Sequence, residues 1–79
     1  MVDHVLGHRI VVSKDVLHGK ARISGTRIAV YQILDLLAAG RTISEITSED
    51  YYPELTAQDV LACVTYASSV VRNEAMPLQ

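Results

Sequence analysis

The chain has 79 residues, 49% of them hydrophobic, and a formal net charge of −2. This length allows one small domain, which buries only about 60% of the surface of its extended chain. A single cysteine excludes an internal disulfide, and no run of about 18 apolar residues or signal-peptide pattern is present. The composition therefore predicts one cytoplasmic domain without a membrane span, and its high apolar content favours a homodimer.

Charge is distributed unevenly along the chain. Seven of the nine acids lie after residue 30. Five of the seven cations lie before residue 28, and these are Arg9, Lys14, Lys20, Arg22 and Arg27. A negative net charge argues against a nucleic-acid binder, whereas the clustered cations provide one local site for an anionic partner.

Short strands are predicted in the first third of the chain. Residues 8–12 are rich in β-branched side chains and predict a strand that ends before Ser13. Residues 22–23 and 26–28 predict two short extended pieces, which are separated by a turn at Ser24-Gly25. Such short strands need a neighbouring edge to be stable.

The pattern then changes to that of helices. Apolar residues at helical spacing from Val30 predict a first helix, with Gly40 as its C-terminal glycine. Thr42 and Glu45 have the spacing of a capping box and predict a second, shorter helix. This helix must end before Pro53, because the residue ahead of a proline is pushed out of the helical region.

A third helix is the best specified of the three. Thr56 is its predicted N-cap, and Asp59 lies at the third helical position, where a negative charge is favourable. Leu55 and Val60 occupy the two positions of a hydrophobic staple. The apolar pattern predicts that the helix continues to about residues 72–74.

Together these elements predict a single domain over residues 1–79 of the α+β class, mainly α. Residues 8–28 would form the short N-terminal β-strands and a basic extended segment. Residues 29–74 would form a three-helix module, with the last two helices joined by a tight turn as in a helix-turn-helix. The expected architecture is thus a winged-helix or homeodomain-like domain.

Two motifs, a Gly-Thr-Arg-Ile run and a Pro-Glu-Leu-Thr element, lie at a characteristic distance from one another. The motifs and the residues that accompany them are Gly25-Thr26-Arg27-Ile28, Val30, Ile33-Leu34, Leu37, Gly40, Glu45-Ile46, Pro53-Glu54-Leu55-Thr56, Asp59-Val60 and Tyr66-Ala67. In these the chain resembles the domain-of-unknown-function family 433 over about residues 8–72. The resemblance implies a helix-turn-helix protein encoded beside a PIN-like nuclease and regarded as a VapB-type antitoxin. Such an antitoxin binds its toxin and often the operator DNA of its own genes.

DNA binding would depend on the basic segment. Because side chains alternate along a strand, Arg22 and Arg27 are expected to face solvent and, with Lys20, to contact phosphates. Thr56 and Gln58, at the start of the third helix, are weaker candidates for contacts to backbone or bases. That helix is otherwise acidic at its start, so it is a poor recognition helix.

Other interpretations of the cations remain open at this stage. Each could be a solvated surface residue or a partner for an acid of the first two helices. Arg27 is the one best placed for a structural role, for example an ion pair with Asp35. A domain without DNA binding is therefore the alternative: a protein-only adaptor that neutralises a partner nuclease.

The acidic segment that follows the second helix is the candidate site for a protein partner. Its members are Glu49, Asp50, Tyr51 and Tyr52. Acids suit a basic nuclease, and tyrosines often carry interface energy. The alternative interpretation is a solvated loop without a partner, with one tyrosine folded onto the core. A homodimer would use apolar surface left over on the first and third helices.

No catalytic site, metal site or cofactor is predicted. His4 and His8 are four residues apart but have no third ligand near them. Cys63 lies on the apolar side of the third helix, which indicates a buried and inert thiol. The glycines are too scattered for a phosphate loop. We therefore expect a binding protein and not an enzyme.

Overall fold

The computed structural model describes residues 4–73, which form a three-stranded antiparallel sheet followed by three α-helices. In chain order the elements are β1 (His4–Gly7), β2 (Ile10–Val12), a 3₁₀ turn (Leu17–Gly19), β3 (Arg22–Ile23), α1 (Val30–Ala38), α2 (Ile43–Ile46) and α3 (Ala57–Arg72). The strand order in the sheet is β1-β2-β3. No helix within these residues is long and apolar enough to cross a membrane.

The predicted helix-turn-helix, and with it the winged-helix or homeodomain-like module, is wrong. A helix-turn-helix joins two helices by a turn of about three to four residues. Here α2 is a single turn that ends at Ile46, and residues 47–56 separate it from α3. The class is α+β as predicted, but the helices follow a sheet and do not form a three-helix DNA-binding unit.

The sheet contains one strand that the sequence did not predict. β1 pairs antiparallel with β2 in the register His4 with Val12 and Val5 with Val11, and a bulge interrupts the register before Gly7. The strand predicted at residues 8–12 begins at Ile10, two residues later than predicted, because His8 and Arg9 form the turn between β1 and β2. This turn places Arg9 in the left-handed region, at φ 67°.

The Ser-Gly-Thr segment closes a tight loop after β3. The backbone N–H of Thr26 donates to the carbonyl of Ile23 at 3.0 Å, and Gly25 between them has φ +81°. The Thr26 hydroxyl donates to the same carbonyl at 2.8 Å and accepts from the N–H of Ile28 at 3.0 Å. These bonds explain why the sequence has a turn-forming serine, a glycine and a threonine in that order. The motif sets the fold of this loop.

The predicted helix ends are confirmed. Gly40 has φ +90° and donates to the carbonyl of Leu37, while the N–H of Arg41 donates to that of Leu36, both at 3.0 Å, which is a Schellman motif. α2 and α3 both begin with a capping box, and the pairs are Thr42 with Glu45 and Thr56 with Asp59.

The core lies between the sheet and the helices. Its buried members are Ile10, Ile23, Ile28, Val30, Ile33, Ile46, Leu55, Val60, Ala62 and Cys63. Both residues of the predicted staple, Leu55 and Val60, are among them. The buried residues of α3 end at Cys63. Val64 and Val71, which continue the predicted apolar face, are 42% and 66% exposed, so that face leaves the core halfway along the helix.

Candidate functional site

The predicted basic segment does not form one cationic surface, because Arg22 points inward. Its side chain is only 7% exposed, and its Nη2 donates to the hydroxyl of the buried Ser13 at 3.0 Å. Arg22 pairs with Val11 in the sheet, and its neighbour Ile23 is also buried. The prediction that Arg22 faces solvent is therefore wrong: both faces of this two-residue strand are covered, so alternation leaves neither residue outside.

Arg9 is also committed within the domain. Its Nη1 lies 3.0 Å from Oδ1 of Asp59, and this is the one ion pair recorded among residues 4–73. The contact joins the turn between β1 and β2 to the first turn of α3. It neutralises part of the acidic start of α3, which the sequence alone presents as unpaired. Arg9 is thus a structural cation and not a free phosphate contact.

Lys20 and Arg27 remain exposed but lie in different settings. The Nζ of Lys20 is 5.7 Å from the ring centre of Tyr31, within the range of a cation–π contact. Arg27 makes no ion pair among the described residues, so the ion pair with Asp35 that the sequence allowed is not formed. It lines a polar notch with residues of the 13–19 loop, whereas Lys20 lines a different, apolar groove.

The candidates on α3 are likewise occupied or displaced. The Thr56 hydroxyl accepts from the N–H of Asp59 and donates to its Oδ2, both at 3.2 Å, so it serves the cap. Gln58 is exposed and lines a cleft beside Leu6 and Leu61, between the β1–β2 hairpin and the helix. Neither residue adjoins Lys20 or Arg27 in a described pocket.

The cap of α3 makes folding sensitive to acid. Burial alone would raise the pKa of Asp59, but hydrogen bonds from the Thr56 backbone and from Arg9 outweigh it and lower this pKa below its usual value. A bond from the Thr42 backbone lowers the pKa of Glu45 in the same way. Because both pKa values are lower in the folded state, their stabilisation is full above the unfolded pKa and is lost as pH falls through the folded pKa.

We therefore expect the free energy of unfolding to fall between about pH 5 and pH 2, and to fall less steeply in Asp59→Asn. Urea denaturation at a series of pH values measures this slope. Asp15→Asn is the matched control, because its carboxyl lies outside both caps, and it should keep the wild-type slope. Equal slopes in Asp59→Asn and wild type would contradict the role given to Asp59.

The acidic segment, in contrast, stays open to solvent. The acidic loop, as we define it, is residues 45–54, and its exposed carboxylates belong to Glu45, Glu49, Asp50 and Glu54. None of these forms an ion pair with another described residue. Tyr51 is half-buried at the centre of the loop. The loop therefore exposes four carboxylates and leaves one aromatic side chain half open to solvent.

Tyr52 has a structural part in the same loop. It packs against the core, its N–H donates to the carbonyl of Ile46 at 2.9 Å, and its hydroxyl lies 3.5 Å from Nε2 of Gln32. Of the four predicted partner-binding residues, Glu49, Asp50 and Tyr51 are thus presented to solvent, and Tyr52 holds the loop on the domain. This position of Tyr52 agrees with the alternative interpretation of the segment, a solvated loop with one tyrosine folded onto the core.

An apolar groove lies between α1 and the second half of α3. Its lining includes Lys20, Tyr31, Leu34, Tyr66, Ala67 and Val70. Tyr31, Val70 and Val71 are 53%, 49% and 66% exposed, so large apolar side chains are left open along this face. This face, called the α1–α3 groove below, is the apolar surface that the sequence expected to remain on the first and third helices.

The described part of the chain contains neither a metal-binding cluster nor an activated cysteine. No group of three or more His, Cys, Asp or Glu residues within it could hold a metal ion. Cys63 is buried as predicted, and its burial, with the nearby Asp59 carboxylate, raises its pKa to about 11. The thiol is therefore protonated at neutral pH and is a poor nucleophile.

Comparison with known proteins identifies a family but no activity. The model of the family described as protein of unknown function (DUF433) matches residues 10–67. The chain belongs to this family. No curated protein and no solved structure matches the chain. Membership does not support a VapB-type antitoxin role, so the function must be argued from the surfaces described above.

Proposed function

We propose that this protein is a non-catalytic, protein-binding module, and that it acts as the antitoxin of a type II toxin–antitoxin pair by holding a basic PIN-like nuclease. The acidic loop is the observation that carries this proposal. The carboxylates of Glu49, Asp50 and Glu54 are exposed and make no ion pair within residues 4–73, so they are available to a partner, whereas the carboxylate of Glu45 caps α2. The single free cysteine fits the cytoplasmic location that such a role requires.

Charge complementarity supports a basic partner. A nuclease that grips RNA is cationic around its active site, and a patch of four carboxylates would steer the two proteins together. Tyr51 at the centre of the loop adds an aromatic anchor of the kind found at interface hot spots. The contact would come from the folded domain, because the acidic loop joins α2 to α3.

DNA binding has less support than the protein-only alternative. Specific DNA binders neutralise several phosphates, and affinity falls steeply with salt in proportion to their number. Of the cations in residues 8–28, Arg22 is buried and Arg9 is paired with Asp59. The exposed Lys14, Lys20 and Arg27 are too few for more than a weak contact. Binding to operator DNA is therefore the second proposal, and it would need a dimer or the toxin to supply more charge.

A homodimer is part of the proposal, with the α1–α3 groove as its interface. The groove exposes Tyr31, Val70 and Val71, which together form an apolar patch of the sort that marks protein interfaces. Its lining contains a single cation, Lys20, and no acid, so the approach of a second copy brings few like charges together. Ala67 in the middle lets two helices come close.

Co-expression with the product of the neighbouring gene tests the main proposal. We expect the two proteins to co-purify, and the double variant Glu49→Gln with Asp50→Asn to weaken the complex about tenfold, because two interface charges are removed. Titration calorimetry at two salt concentrations measures the loss. Light scattering on the free protein gives its mass in the same preparation, with a dimer expected for the wild type and a monomer for Val71→Asp.

The matched control is Asp15→Asn with Asp35→Asn, which removes the same charge away from the acidic loop and should leave the affinity unchanged. Equal weakening by both double variants would show a general charge effect and contradict a site on the loop. Failure of the wild type to bind the neighbouring product would contradict the antitoxin role. Binding of upstream DNA with a salt dependence of several phosphate contacts would favour the DNA proposal instead.

A further inference from the structure

A polar notch is formed by residues outside the acidic loop and outside the α1–α3 groove, so neither proposed interface uses it. Its lining consists of Lys14, Asp15, Leu17, His18 and Arg27. Two of these side chains are cationic at neutral pH, and His18 adds a nitrogen donor or a further positive charge. None of them forms an ion pair with another described residue. The notch thus gathers donors from two separate segments without any internal partner for them.

The backbone of the notch adopts strained, left-handed conformations at Leu17 and His18. Leu17 and His18 have φ of 52° and 55°, and Gly19 follows with φ of 78°. Left-handed conformations cost a non-glycine residue roughly 1–2 kcal/mol, and leucine has no side-chain hydrogen bond to offset this. The turn is held by backbone bonds from Gly19 to Val16 at 3.0 Å and from Lys20 to Leu17 at 3.1 Å.

This strain has a consequence for His18. Because the left-handed turn fixes the direction of the backbone at residues 17–19, it holds the imidazole in the lining of the notch, which Arg27 also lines. A relaxed backbone at His18 would direct its side chain elsewhere. Strained residues of this kind persist at ligand sites more often than at plain surface turns. Backbone strain and three nitrogen-bearing side chains thus occur at one place.

We propose that this notch binds a phosphate monoester group. Arginine offers a planar fork of donors that matches two phosphate oxygens, and lysine adds a point charge. The doubly charged monoester suits a site with two fixed cations and one histidine better than a singly charged diester does. The site takes one phosphate, since Arg9 and Arg22 are committed within the fold and cannot extend it along a nucleic-acid backbone.

Asp15 is the acidic side chain in the lining of the notch. Its carboxylate lies in the lining but makes no ion pair there, so it stands against an incoming anion. If the notch binds phosphate, Asp15→Asn should tighten its saturable binding, because the substitution removes a charge that repels the anion. A solvated surface cluster would show no saturable binding in either protein.

Titration followed by ¹H–¹⁵N correlation spectra tests the proposal on the full chain at constant ionic strength. The probes are inorganic phosphate and adenosine 5′-monophosphate, with chloride as the reference anion. We expect saturable shifts of the amides of residues 14–19 and 27. Arg27→Ala should weaken binding about tenfold, the usual effect of losing a charge-assisted hydrogen bond, and Asp15→Asn should strengthen it severalfold.

Two control variants keep the test independent of folding. His18→Asn retains a residue that tolerates the left-handed turn but removes the imidazole, and it should weaken binding without changing the melting temperature. Arg41→Ala removes an exposed cation elsewhere and should leave binding unchanged. Shifts that do not saturate, or that chloride reproduces, would overturn the proposal. So would a short DNA duplex that binds more tightly than the monoester and loses this binding in Arg27→Ala.

Discussion

Arg22→Ala is expected to lower the free energy of unfolding by about 3 kcal/mol. The substitution removes a long side chain that is only 7% exposed, and with it the hydrogen bond that Arg22 donates to the hydroxyl of Ser13 at 3.0 Å. The lost packing of the side-chain stem and the lost charge-assisted hydrogen bond each cost about 1–3 kcal/mol. Urea denaturation followed by circular dichroism measures the change.

Arg27→Ala is the matched control for this substitution. It removes the same type of side chain five residues further along, but Arg27 is exposed and should change the free energy of unfolding by no more than about 0.5 kcal/mol. A loss of DNA binding in a double variant of Arg22 and Arg27 would therefore report unfolding together with any lost contact. If both single variants are equally stable, the buried position of Arg22 is wrong.

Local signals in the sequence predicted local structure well. The capping boxes at Thr42 and Thr56 and the glycine at Gly40 depend on residues no more than five apart, and each forms as expected. Ser24-Gly25 forms its turn for the same reason. Their hydrogen bonds are made within one turn of backbone, so the residues that specify them are adjacent in the chain.

Non-local contacts were not predictable in the same way. β1 has a weak strand pattern and exists because β2 supplies its hydrogen bonds. The ion pair of Arg9 with Asp59 joins residues 50 apart in the chain, and no spacing rule connects them. Whether Arg22 faces outward depends on what covers the second face of its strand, which alternation alone does not reveal.

The candidate sites divide along the same line. The acidic loop was predictable because its acids lie on both sides of Pro53. A helix cannot continue through this position, so the acids stay in an exposed loop. The basic segment was not, because the fate of each cation was decided by a distant partner: Ser13 for Arg22 and Asp59 for Arg9. A run of like charges in sequence therefore indicates a charged surface only after its members have been checked for buried partners.

Ile46→Ala is expected to have the second large effect, a loss of about 3 kcal/mol in the free energy of unfolding. Ile46 is fully buried and is the last residue of α2, a single turn too short to be stable by itself. Truncating it removes the contact that holds this turn on the core and leaves a cavity. Its carbonyl also accepts the N–H of Tyr52, so the acidic loop depends on the same residue.

This dependence makes Ile46 a test of how the acidic loop is held in place. Ile46→Val keeps most of the packing and should cost only about 1 kcal/mol, while Glu45→Gln changes the same turn on its exposed side. Hydrogen exchange should show faster opening of residues 47–52 in Ile46→Ala than in Ile46→Val, because α2 then leaves the core more readily. Equal exchange in these two variants would mean that the loop is held elsewhere, through Tyr52 and Leu55. A complex with the partner nuclease should weaken in step with that opening, since a loop that must be reordered costs binding free energy.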